Sequence, residues 1–257
     1  GPQYAVMGVL GQTQGGAPFA VDVPVMLQTA KGATAQVIHV DKPVQTFTLF
    51  SADPPVMLHV DPRFDTFRKL DPRETPPSIG QIFGEPRILA VLPSSAPAAE
   101  LQAWRELFKG WVSDSHAIEV KLDTEVADLP ADRAVWVAGR SNRWARLFRS
   151  HAGMALTESA IEVDGEKMAL AGHTLVIVAR HPQRVEKAIG WLAVDPVAAF
   201  PGLGRKLPHY GKYSYLGFEG TEPVNVLKGQ WQESDSPLRV DLRAQVARLD
   251  AARGAGT

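Results

Sequence analysis

Residues 71–86, DPRETPPSIGQIFGEP, gather four prolines and two glycines in one short polar span. Proline fixes φ and has no N–H to give to a ladder or a helical turn, so such a span separates elements rather than continuing one. The hydrophobic period changes across it. The two sides therefore cannot belong to one repeating pattern, and 71–86 reads as a linker between two differently built domains.

Before the linker the pattern is that of strands. Short apolar runs at 4–10, 19–29, 35–40, 45–50 and 56–61 are separated by the turn material TQGG, AKG, DKP and SADPP. Within 19–29, Val21, Val23, Val25 and Leu27 alternate with Ala20, Asp22, Pro24 and Met26, a period of two. Strands at this spacing with no helical segment between them predict a small antiparallel β-sandwich over residues 1–70. Pro24 belongs at an edge or a bulge of it.

After the linker strands alternate with helical stripes. RILAVLP (87–93) is a buried-strand run, and in 96–112 Leu101, Trp104, Phe108 and Trp111 form one helical face. AIEVK (117–121), AVWVAG (134–139) and HTLVIVAR (173–180) read as further strands. SNRWARLFRS (141–150) reads as a short helix capped by Ser141. The segment after His181 reads as a helix with Pro182 in its first turn. Asp164-Gly165 marks a hairpin, and 213–218 and 224–231 read as late strands. The expectation is an α/β domain with a mainly parallel sheet over 87–237, then a flexible or helical tail over 238–257.

The composition closes several routes. With 45% hydrophobic and 21% charged residues the chain can pack a core. A formal net charge of −1 offers no broad cationic face for nucleic acid. There are no cysteines, so disulfides, thiolate metal sites and cysteine nucleophiles are excluded. No apolar run reaches the length of roughly 20 residues that a membrane-spanning helix requires. The motifs H-E-x-x-H, G-x-S-x-G and G-x-x-x-x-G-K-[ST] are all missing. His59 and Asp61 make a metal-like pair with no third ligand in sight. Neither a metal nor a cofactor is expected, and no residue is assigned a catalytic role.

One constellation points to binding. In parallel sheets ligands collect at the carboxyl ends of strands, where free backbone N–H groups point outward. Ser94 and Ser95, then Arg140, Ser141 and Asn142, then Arg180 and His181 follow three such strands. If these strands are parallel neighbours, two arginines and a histidine converge on a site for a small anion or a peptide carboxylate. The competing reading makes the serines caps and the arginines surface ion pairs. The stretch 203–220, LGRKLPHYGKYSYLGFEG, reads as a turn and loop leading into a strand, with Lys206 and His209 on the loop as the rim of any site. Asp123, Glu125 and Asp128 form an acidic loop whose default is solvated surface.

The segment PFAVDVPVMLQTAKG, the strand QTFTLF and VMLHVDPRFDTFRKLDPRETPPS, with Val60-Asp61-Pro62 closing a strand, resemble the sandwich that follows the catalytic domain in gluzincin peptidases of the aminopeptidase N type. The resemblance covers roughly 1–75. It implies a non-catalytic C-terminal region of a bacterial peptidase-like protein, whose partner is the N-terminal part of the same protein; the compartment stays open, with the bacterial envelope or periplasm slightly favoured. The zinc helix and catalytic glutamate of that family have no counterpart here. Three functions follow for testing: an accessory region that supports or gates a peptidase-like catalytic domain, a binding module for an anion or peptide terminus at Arg140, Asn142, Arg180 and His181, or an enzyme using a tyrosine or histidine of 203–220 as general acid or base. The first is the leading reading.

Overall fold

A computed structural model describes residues 4–151, 153–232 and 235–254. It shows a mixed α and β protein in which strands predominate. Among the described residues no helix is long and apolar enough to cross a membrane. The chain divides into two compact units, one holding the described residues of 1–74 and 234–257, the other those of 75–233.

In the first unit β1 (Tyr4–Gly11) is followed by β2 (Val21–Thr29), β3 (Gly32–Val40), β4 (Val44–Ser51) and β5 (Pro55–Val60). β1 pairs antiparallel with β4, while β5, β2 and β3 form an antiparallel sheet with β2 in the middle. Alternation sends Val25, Leu27, Ile38, Val40 and Leu58 of the larger sheet and Phe47 and Leu49 of the smaller into one buried cluster. Pro24 is tolerated in the central strand because pairing with β5 starts only at Val25. Its carbonyl accepts the Asp61 N–H on that side, so its missing donor lies where the ladder has already ended.

The described residues of 238–257, a stretch expected as a flexible or helical tail, belong to this unit. The strand Arg239–Asp241 adds to β5, and the helix Arg243–Gly254 follows it. Tyr4 donates its hydroxyl to Asp250 at 3.0 Å, and Leu242 packs on the cluster. A second tie is ionic. Arg68 donates to Glu74 through Nη1 (2.6 Å) and Nη2 (3.0 Å) and to Asp61 through Nε (2.8 Å), and Ser236 Oγ donates to Glu74 (2.8 Å). Asp61 and Glu74 are both buried, so their charges depend on that fork.

The second unit begins with the short helix α1 (Ile79–Phe83), which lies inside the segment expected as linker. β6 (Arg87–Leu92), α2 (Ala98–Lys109), β7 (Ala117–Leu122) and β8 (Ala134–Ala138) follow. A 3₁₀ segment, Arg143–Phe148, leads into a small antiparallel sheet of β9 (Ser150–His151), β10 (Met154–Leu156), β11 (Ala160–Val163) and β12 (Glu166–Ala169). The hairpin joining β11 and β12 turns at Asp164 and Gly165, with φ of 51° and 82°, as a type I′ turn requires. Then come β13 (His173–His181), β14 (Arg184–Ala193), α3 (Phe200–Lys206), β15 (Tyr215–Glu219) and β16 (Val224–Gly229).

The main sheet has the order β16-β15-β13-β14-β8-β6-β7. The parallel pairs are β14–β8, β8–β6 and β6–β7; β15 points the same way but pairs with none of these strands. β13, β15 and β16 join antiparallel, so the sheet is evenly mixed rather than mainly parallel. The difference arises after His181, where a strand stands in place of the expected helix. Residues 188–193 of β14 are buried without a break, and a surface helix would bury only one stripe of them. Gly190 makes the strand possible, since a Cβ there would lie 2.2 Å from the Trp136 ring on neighbouring β8. The helices α1, α2 and α3 cover one face of the sheet with Ile79, Ile82, Trp104, Phe108, Phe200 and Leu203. The small sheet and the 3₁₀ segment cover the other with Phe148, Ile161, Val163 and Met168.

Candidate functional site

The carboxyl ends of β6 and β8 lie side by side, with β7 beyond β6, so the order of the parallel strands reverses here as it does in ligand-binding crevices of α/β sheets. This crevice is filled by the protein's own side chains. Asn142 is buried, donating Nδ2 to the carbonyls of Val91 (2.9 Å) and Ala138 (3.0 Å) and accepting the Trp144 N–H at Oδ1 (3.0 Å). It, and not Ser141, caps the 3₁₀ segment. Asp123 is buried too, in contrast to the solvated acidic loop expected there. Its carboxylate accepts the backbone N–H groups of Ser94 (3.0 Å) and Arg143 (3.1 Å). Burial disfavours its charge, but the hydrogen bonds from Ser94, Arg143 and Thr124 outweigh it and hold the carboxyl below its ordinary range. The donors that would face an anion already have one.

The remaining predicted residues do not converge. Arg140 donates to the carbonyls of Leu170 and His173 and faces Asp195 at 3.8 Å. Because β13 runs antiparallel to β14, Arg180 and His181 emerge at the opposite end of the sheet from Arg140 and Asn142. Arg180 donates to the carbonyls of Thr75 and Val185. His181 is buried, with Nδ1 accepting the Gln183 N–H at 3.1 Å. Burial pushes its imidazole below the ordinary value, opposed weakly by the Leu129 carbonyl, and Nε2 makes no hydrogen bond of normal geometry among the described residues.

The first part of 203–220 is helical where a turn was expected, and the expected strand follows at Tyr215–Glu219. Gly202 and Gly204 lie inside α3, where they admit close neighbours, a Cβ at Gly202 standing 2.5 Å from Pro223. Lys206 donates to the Pro223 carbonyl at 2.5 Å, and His209 is exposed on the 3₁₀ turn Leu207–Tyr210. An open apolar groove between α2 and α3 is lined by Leu107, Trp111, Val197, Phe200 and Arg205, among others, but by neither Lys206 nor His209. Burial and the Asp164 carboxylate, 2.9 Å from its hydroxyl, push Tyr215 up to about 12, far from a general acid or base at neutral pH. His59 contacts Gln28, and Asp61 is held by Arg68. Among the described residues no cluster of three or more His, Asp or Glu side chains could hold a metal.

Two features went unread in the sequence. The first is the outer face of β1 and β4. Their register sets Ala5 opposite Phe50, Met7 opposite Thr48, Val9 opposite Thr46 and Gly11 opposite Val44. Met7 (80%), Val9 (63%), Val44 (59%) and Phe50 (64%) are all more than half exposed. Neither strand, YAVMGVLG or VQTFTLFS, carries a charge. Both strands alternate in the sequence, but only their pairing shows that the apolar outward residues share one face. The second is the 3₁₀ conformation of Arg143–Phe148, which re-sorts the arginines of RSNRWARLFRS. Arginine at every third position from 140 to 149 was the available signal.

No family model matches this sequence, and no curated protein does.

Proposed function

We propose that this chain is a non-catalytic accessory region that docks onto a catalytic domain of the aminopeptidase N type and supports or gates it. The observation that carries the reading is the uncharged outer face of β1 and β4, with Met7, Val9, Val44 and Phe50 turned to solvent. Exposed sheet faces normally carry polar side chains, and exposed strands are guarded by charge or proline; contiguous apolar patches mark interaction surfaces. The resemblance of residues 1–75 to the sandwich that follows such catalytic domains supplies the class of partner. Asp123, lodged between the Ser94 and Arg143 N–H groups, counts against an anion or peptide carboxylate at the strand ends.

Calorimetric titration of the chain with an aminopeptidase N-type catalytic domain from the same organism tests this. Binding weakened on the order of tenfold or more by Phe50→Asp, from the lost burial of one aromatic side chain, supports it. Binding that Phe50→Asp leaves unchanged, or no binding, overturns it.

A further inference from the structure

A 3₁₀ helix has three residues per turn, so side chains three apart stack in one column. Arg143 and Arg146 lie in such a column on the segment Arg143–Phe148. Arg149 extends it, because as the C-cap it keeps helical dihedrals of −83° and −17°. All three are exposed. None makes an ion pair with any described residue, whereas Arg140, one step earlier, faces Asp195. Trp144 is half-buried between the first two, with the Arg143 guanidinium 5.1 Å and the Arg146 guanidinium 5.7 Å from its ring centroid. One Nη2 bond to the Val126 carbonyl anchors Arg143, and its other guanidinium donors have no described partner. Like charges lined up without an offsetting carboxylate repel one another. Such a column is stabilised when an anion joins it.

We propose that Arg143, Arg146 and Arg149, steadied by Trp144, form a docking site for an acidic polypeptide segment in extended conformation, with carboxylates on alternate residues. Three residues of a 3₁₀ helix advance about 6 Å, and alternate side chains of an extended chain stand about 6.6 Å apart on one side. The two repeats match over three positions. Each guanidinium offers a planar fork to a carboxylate, and for Arg143 and Arg146 the contact with the indole holds the fork in place before the ligand arrives. The net charge of −1 lacks the broad cationic field on which nucleic-acid binding depends. The site lies within the second unit and is independent of the β1 and β4 face.

Fluorescence anisotropy with a labelled peptide alternating glutamate and serine tests the proposal. Its controls are the glutamine-for-glutamate peptide and an oligouridylate of equal charge. The expected result is salt-sensitive binding of the glutamate peptide at a Kd on the order of 10–100 μM. Arg146→Glu with Arg149→Glu should weaken it about tenfold or more with little change in Tm, since Arg146 gives up only its contact with the Trp144 ring and Arg149 has no side-chain partner among the described residues. Arg146→Lys with Arg149→Lys should weaken it less, keeping the charge and losing the fork. Equal binding of the glutamine peptide, tighter arginine-dependent binding of the oligouridylate, or no glutamate-peptide binding up to about 1 mM overturns it.

Discussion

The Asp123 carboxylate accepts the Arg143 backbone N–H at 3.1 Å, which ties the loop after β7 to the loop after β8. The Ser94 N–H at 3.0 Å brings in the loop after β6. One side chain thus holds together three strand ends where a bound anion would otherwise sit. Asp123→Ala should cost about 2–3 kcal/mol in urea unfolding, because it leaves two N–H groups without their charged acceptor, and Asp123→Asn should recover part of that. The alanine variant should also gain thermal stability from added sulfate, and the wild type should not. Equal stabilisation of both by sulfate would contradict this assignment.

Arg68 stands between two buried carboxylates, Asp61 and Glu74, and satisfies both. Removing it strands two charges in a poorly solvated place. Arg68→Ala should therefore destabilise the first unit by about 3–5 kcal/mol, and Arg68→Lys should fall between, since it keeps the charge without the fork. Because Ser236 also donates to Glu74, the loss should expose the strand Arg239–Asp241 to faster amide exchange. Unchanged exchange there would separate the ion network from the docking of that strand.

His181 is held neutral by burial, below its ordinary value of 6.5. Above that pH the folded and unfolded chains are both neutral at this position, and it contributes no pH dependence. Below it the unfolded chain takes up a proton that the folded state resists, so stability falls as pH drops from about 6.5 toward the lower folded value. His181→Gln should flatten that part of the Tm profile between about pH 7 and pH 5. An identical profile in the variant would assign the acid sensitivity to other groups.

Where periodicity was strong, the sequence was legible. All five strands of 1–60, the helix carrying Trp104 and Phe108, and the Asp164-Gly165 hairpin stand close to where the pattern puts them. β14 was not legible because Val185, Ala188, Ile189 and Leu192 fit a helical face as well as a buried strand. What decides between them is distant. Residue 190 must accept the Trp136 ring, which only glycine does without a clash. That one substitution of strand for helix reverses β13 and carries Arg180 and His181 away from Arg140. The burial of Asp123 was hidden for a similar reason, since its donors lie 29 and 20 residues away.

Docking of a peptidase-like catalytic domain, as proposed, would use the outer face of β1 and β4. Amide hydrogen exchange of the chain, alone and with an aminopeptidase N-type catalytic domain, tests it most directly. Slowed exchange in Tyr4–Gly11 and Val44–Ser51 is expected when the domain is present, with loss of that protection in Phe50→Asp. Unchanged exchange in both strands, or protection confined to the second unit, would contradict it.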